Sequence, residues 1–164
     1  MVIVFCRTKR GTEKVHQRLK KRIRSVECIH GDMSQGSRDR VMQQFRAGKL
    51  THLVATDVVG RGIDVSGISH IINFDIPHFC DDYVHRVGRT GRMGREGIAF
   101  TFVTPEEGHE LTRIEQRINR ILVRDEISGF ETVLPELPTE EPETTDPPPP
   151  PFDDRRRKRY RRGL

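Results

Sequence analysis

The sequence predicts an α/β domain with a mainly parallel sheet, followed by an extended tail. Three observations carry this. Short apolar runs alternate with helix-period stretches through residues 1–124. The run Val2–Cys6 is continuously apolar rather than alternating, the pattern of a central strand covered on both faces. From about Leu134 the composition changes abruptly: eight of the ten prolines lie at Pro135 or beyond, including Pro147 to Pro151.

Each element has its own local signal. Val2–Cys6 reads as a central strand. Thr12 is placed to cap a helix whose apolar positions Val15, Leu19 and Ile23 recur every four residues. Val26–His30 reads as a second strand. Ser34 is a cap for a helix carrying Val41, Met42 and Phe45 on one face, with Gly48 as its stop. His52–Ala55 and His70–Phe74 are strand-like, and Asp81 or Asp82 opens a helix through Tyr83, Val84 and Val87. Gly97–Val103 is a strand, and Pro105 suits the first turn of a helix running to about Arg117. The proline-rich segment buries too little apolar surface to fold and is expected to be extended and disordered. Three regions follow: a domain over 1–124, an acidic proline-rich linker over 125–152, and a basic tail over 153–164.

Charge divides along the same lines. Residues 1–124 hold 22 Lys/Arg against 14 Asp/Glu, 125–152 hold eight acidic residues and no Lys/Arg, and 153–164 hold seven Lys/Arg against two Asp. A basic folded part suits a polyanion, though an ordinary solvated surface has the same composition. The tail, Arg155 to Arg162 with Tyr160, is suited to tethering nucleic acid. No apolar run approaches the ~20 residues a membrane span needs. The three cysteines, Cys6, Cys28 and Cys80, are odd in number and widely spaced, which argues against a disulfide framework or a metal site and for a reducing cytoplasm.

In a parallel sheet, ligands gather beyond the carboxyl ends of the strands. The loops expected there are Arg7–Gly11, Gly31–Ser34, Thr56–Ser66, Asp75–Phe79 and the stretch around Gly88, and they hold most of the unusual chemistry. The sharpest string is His85-Arg86-Val87-Gly88-Arg89-Thr90-Gly91-Arg92, continuing to Gly94, Arg95 and Gly97. Arginines three apart with glycines between them build a poor core. They suit guanidinium forks approaching phosphate oxygens, although a basic loop of another kind shares parts of the pattern. Ala55-Thr56-Asp57-Val58-Val59-Gly60-Arg61-Gly62-Ile63-Asp64 ends a strand with a hydroxyl, carboxylates, an arginine and glycines. Such a loop can bind phosphate and a ribose hydroxyl, or can be a turn with Asp caps. Gly31 to Arg38 includes a helix start at Ser34, with Gln35 and Arg38 on one face. Phe5-Cys6-Arg7-Thr8-Lys9 leads a strand into a polar loop.

In this order, the strings resemble the C-terminal RecA-like domain of DEAD-box RNA helicases, over residues 1–117. Phe5–Lys9 is similar to motif IV, Gln35–Arg38 to the Q-x-x-R motif, Ala55–Asp64 to motif V, and His85–Arg92 to motif VI. Asp75-Ile76-Pro77 resembles the short element between the last two. The His-Arg start of motif VI favours the DEAD-box group over the DEAH group. Gly60 stands where Ala or Ser is more usual. The resemblance implies a RecA-like three-layer fold and a role for each matching residue. Arg89 and Arg92 would reach the γ-phosphate of ATP, Asp64 and Gly62 would lie at the nucleotide with Asp64 on its ribose, and His85 would link the ATP and RNA sites. Gly31, Gln35, Arg38, Thr56, Arg61 and Thr8 would hold the RNA backbone.

Neither a G-x-x-x-x-G-K-[ST] phosphate loop nor an Asp-Glu-Ala-Asp string occurs in the 164 residues. In the family both belong to the N-terminal RecA-like domain, which is therefore the expected partner and the principal holder of ATP and Mg²⁺. The helix that usually precedes the first strand is also missing from the pattern, so the sequence reads as an N-terminally truncated second motor domain, inactive alone. Two other readings stand beside it: a stand-alone RNA-binding or regulatory module without catalysis, and a DNA helicase domain of the same superfamily.

Overall fold

Where the chain can hydrogen-bond without breaking its apolar runs, it forms strands, and all of them run the same way. The computed structural model describes residues 1–57, 65–91, 94, 96–126 and 129. Its elements are β1 (Val2–Phe5), α1 (Lys9–Lys20), β2 (Val26–Ile29), α2 (Gln35–Arg46), β3 (His52–Ala55), β4 (His70–Asn73), α3 (Cys80–Val87), β5 (Ile98–Thr101), a 3₁₀ turn (Pro105–Glu107) and α4 (Gly108–Ile118). The five strands form one sheet in the order β2-β3-β1-β4-β5, every pair parallel. Residues Met1–Val123 make up this compact unit. Most of the acidic linker and all of the basic tail lie outside the described residues.

The strand order decides which face each helix covers. From β1 to β2 the chain moves one way across the sheet; from β2 to β3, and from β4 to β5, it moves the other way. Parallel crossovers are right-handed, so α1 lies on one face and α2 and α3 on the opposite one. The packing agrees. Val15 and Leu19 of α1, with Ile23 just beyond it, meet Val4, Cys6, Val26 and Val54. Val41, Met42 and Phe45 of α2 meet Ile3, Phe5, Ile29, Leu53 and Ile71. On α3, Tyr83 packs with Ile76 and with Ile114 of α4. β1 has strands on both sides and a covered surface above and below, which is why its residues read as an unbroken apolar run.

Two helix starts differ from expectation. Thr8, not Thr12, caps α1: its Oγ1 accepts from the Gly11 N–H at 3.0 Å. Thr12 is already one turn inside, fully buried, with its hydroxyl donating to the Thr8 carbonyl at 3.0 Å. The helix begins earlier because the first hydroxyl after the strand is the one able to satisfy its open N–H groups. α3 starts at Cys80 with no side-chain cap, and Asp81 and Asp82 occupy its first turn, where acidic groups favour the helix dipole. Ser34 does cap α2, accepting from the Ser37 N–H at 3.3 Å. Gly48 follows α2 with φ of 70°, the left-handed turn that closes a helix. The helix expected from Pro105 opens as a 3₁₀ turn, in which the Thr104 N–H donates to Glu107 Oε2 at 3.1 Å.

Phe45 is fully buried between α2 and the sheet. Phe45→Ala is expected to cost about 3–5 kcal/mol, read as a lower urea midpoint. Phe79→Ala, at a position 69% exposed, should change stability by no more than about 0.5 kcal/mol.

Candidate functional site

Because every strand is parallel, the loops after β1, β2, β3 and β4 emerge at one edge of the sheet. β1 is the strand at which the order reverses, and that edge is where open α/β sheets take ligands. Thr8 follows β1, Gly31 follows β2 and leads to the Gln35–Arg38 turn of α2, and Thr56 and Asp57 follow β3. Asn73 ends β4 and Asp75 lies just beyond it.

The centre of this edge is Arg86, in the last turn of α3 and 2% exposed. Its guanidinium grips Asp57 with two bonds, Nε to Oδ1 at 2.5 Å and NH2 to Oδ2 at 2.8 Å. NH1 donates to the Asp75 carbonyl at 2.7 Å and to Asn73 Oδ1 at 3.2 Å. Its carbon lies 5.2 Å from the centre of the Phe5 ring, in cation–π range. One buried side chain thus joins the ends of β1, β3 and β4 to α3. Sequence reasoning counted Arg86 among three arginines suited to phosphate oxygens; the structure instead buries it, with its guanidinium matched by Asp57. Sequence reasoning paired none of Asp57, Asn73 and Asp75 with this arginine, because each pairing spans eleven or more positions.

A second arginine extends the network. The Arg7 backbone N–H donates to Asp75 Oδ2 at 2.8 Å, and its guanidinium reaches the Ile76 carbonyl at 3.0 Å and Glu107 Oε1 at 2.5 Å. Burial pushes the Glu107 carboxyl up, but the Thr104 N–H and the Arg7 guanidinium outweigh it and hold the group below its ordinary value of 4.5. Cys6, buried beside Asp75, has its thiol pushed up to about 12 by burial first and the Asp75 charge second, so it stays a protonated core residue. Among the described residues no group of three or more His, Cys, Asp or Glu converges as a metal site.

The residues singled out from the sequence divide as follows. Thr8 is exposed, with its Oγ1 engaged in capping α1. Gly31 is exposed, and a Cβ there would meet only Lys9 Cε, at 3.7 Å. Gln35 and Arg38 bond to each other, Arg38 NH2 to Gln35 Oε1 at 2.5 Å, and the buried Arg38 Nε has no hydrogen-bond partner. Thr56 is 6% exposed, beside Asp57. His85 is exposed in the last turn of α3, and Arg89, half-buried, donates from Nε to the His85 carbonyl at 3.2 Å. Arg61, Gly62, Asp64 and Arg92 lie outside the described residues. Gly97 has a packing role: a Cβ there would sit 2.0 Å from Thr90 Oγ1, which itself donates to the Ile68 carbonyl at 2.6 Å. Thr90 and Gly91 therefore pack against Gly97, just before β5, at a position that admits no side chain.

The Arg86–Asp57 pair sets a stability test. Asp57→Ala leaves a buried guanidinium uncompensated and is expected to cost about 3 kcal/mol or more, by urea unfolding. The double substitution Arg86→Met with Asp57→Leu should recover much of that loss. Glu107 sets a pH test. Its folded pKa lies below its unfolded one, so its contribution is complete above 4.5 and is lost as the pH falls through the folded value. The stability gap between the parent chain and Glu107→Gln should therefore shrink on acidification from about pH 6 to about pH 3.

Comparison with known proteins agrees with the geometry. The model of the family "Helicase conserved C-terminal domain" matches residues 1–94. DEAD-box ATP-dependent RNA helicase CshA of Bacillus cereus (strain ATCC 10987 / NRS 248) is 48% identical over 124 residues, covering 76% of this chain and 24% of the relative. CshA of Geobacillus kaustophilus (strain HTA426) is also 48% identical over 124 residues, covering 76% and 27%. The chain thus spans about a quarter of the length of the curated relatives it matches. Among solved structures, S. cerevisiae Dbp5 bound to RNA and ADP BeF3 superposes with a TM-score of 0.69 at 34% identity, covering 74% of this chain and 33% of that one. A DEAD box protein from the hyperthermophile Methanococcus jannaschii gives 0.68 at 38% identity, covering 73% and 33%. E. coli SrmB bound to regulator of ribonuclease activity A gives 0.68 at 35% identity, covering 74% and 71%. A match over most of the folded residues makes this chain a member of the helicase conserved C-terminal domain family, on its DEAD-box RNA helicase branch.

Proposed function

We propose that this chain works as the second motor domain of an ATP-dependent RNA helicase, closing with an N-terminal RecA-like domain on ATP and single-stranded RNA. The observation that carries the reading is the convergence of Thr8, Gly31, Gln35–Arg38, Thr56 and the Arg86 clamp on the carboxyl edge of one parallel sheet. The names of the relatives, ATP-dependent RNA helicases, support the same chemistry.

In this reading the labour divides by side-chain chemistry. Arg89 and Arg92 act as arginine fingers, stabilising negative charge on the phosphoryl oxygens in the transition state. Asp64 accepts from the ribose hydroxyl of ATP, with Gly62 leaving room for close approach, and His85 connects the nucleotide and RNA sites. Arg38, with its unpartnered Nε, takes a phosphate. Gln35, Thr56, Gly31, Arg61 and Thr8 line the backbone path. Contacts to phosphate and sugar bring RNA binding without sequence preference. Mg²⁺, when held chiefly by an N-terminal domain, would supply neutralisation of phosphate charge. A cytoplasmic site of action fits three free cysteines and described helices of which none is long and apolar enough to cross a membrane.

The arginines stabilise a transition state only when the phosphates are already held, so the chain alone is expected to show no ATP turnover above background. Mixed with a purified DEAD-box N-terminal domain and single-stranded RNA, it should hydrolyse ATP. Arg89→Ala or Arg92→Ala should lower that rate by ~10³-fold or more. Tight RNA binding with no turnover in any mixture would instead favour a non-catalytic RNA-binding module.

A further inference from the structure

Lys9, the first residue of α1 after β1, and Asp32, in the turn between β2 and α2, both lie at the carboxyl edge, and they form an ion pair between Nζ and Oδ1. Both side chains are more than half exposed, Lys9 at 53% and Asp32 at 65%. The contact lowers the Asp32 carboxyl below its ordinary value, first through the hydrogen bond from Lys9. Between the two lies Gly31, whose open side faces Lys9 alone: the nearest atom to a Cβ built there is Lys9 Cε at 3.7 Å. The lysine stem therefore runs across the glycine surface that the RNA reading assigns to the sugar-phosphate backbone. An RNA strand laid against Gly31 meets the Lys9 stem, and its phosphate competes with Asp32 for the ammonium.

We propose that Lys9 and Asp32 form a displaceable strap over Gly31, and that Lys9 is an RNA-phosphate ligand withheld by Asp32 until a strand enters. This rests on the RNA reading above and adds a residue to it. The exchange is balanced in charge. One carboxylate gives up the ammonium to one phosphate oxygen, and the released Asp32 turns to solvent. An exposed pair holds its partners weakly, which suits a contact that must open each time RNA binds. Asp32 then acts as a threshold, lowering affinity for any polyanion too short or too badly placed to reach Lys9.

The experiment is a fluorescence-anisotropy titration of the full 164-residue chain with a short labelled oligouridine, repeated over a range of salt. Asp32→Asn should tighten binding by up to about five-fold, the factor one exposed ion pair can withhold. Lys9→Ala should weaken binding and flatten the salt dependence by about 0.7 in log–log slope, one phosphate contact on a single strand. In the Lys9→Ala background, Asp32→Asn should have no further effect. Tightening that persists without Lys9 would mean that Asp32 merely repels RNA and would overturn the strap. No change or weaker binding in Asp32→Asn would overturn it as well. If the parent chain binds no oligouridine at all while circular dichroism shows it folded, the RNA reading itself fails and the strap with it. Both residues are exposed, so neither substitution removes core packing.

Discussion

The bidentate grip of Arg86 on Asp57 is the constraint on which the carboxyl edge depends. A charged guanidinium taken out of water is tolerated only when its donors are matched, and here four bonds and an aromatic face match them. The partners come from three different strand ends, so satisfying the charge also fixes where those ends lie. Thr56 precedes Asp57 in the chain and Arg89 follows Arg86 by one turn. The residues at either side of the proposed cleft are thereby held to a common reference by one ion pair.

The same economy governs the glycines. In the string from His85 to Gly97 they look alike, as small residues that let a phosphate come near. Gly97 serves a different purpose, since a methyl group there would overlap Thr90 and the Gly91 amide. Gly31, by contrast, is exposed, and a Cβ there would meet only Lys9. One glycine makes room for protein and the other leaves room for something else, a distinction that residue type does not carry.

Much of the fold was legible because its signals are local. An unbroken apolar run marked β1, a four-residue repeat marked α1, and a serine before Gln35 marked the start of α2. Thr12 misled because two hydroxyls lay one turn apart and propensity alone does not rank them; the end of β1 does. The motif strings were legible as types and spacings, and the sheet brought Thr8, Gly31, Thr56 and Arg86 to its carboxyl edge, while Thr90 and Gly91 pack beside Ile68 and Gly97 at the starts of β4 and β5. Arg86 was not legible as a positioning residue, since its partners are far away in sequence and its neighbours are other arginines. Likewise the link from Arg7 to Glu107 joins positions one hundred residues apart, and nothing in either neighbourhood announces the other.

The position of β1 in the sheet bears on how the chain can be assembled. Val2–Phe5 pairs with His52–Ala55 on one side and with His70–Asn73 on the other, never with β2, which comes next in sequence. A nascent chain that has reached β2 has no edge on which to complete a sheet. Its most apolar strand stays unpaired until β3, some fifty residues further along, has left the ribosome, and loop closure over such a span is slow. During that interval the segment that later becomes the most protected is the one most open to capture by chaperones or by other chains.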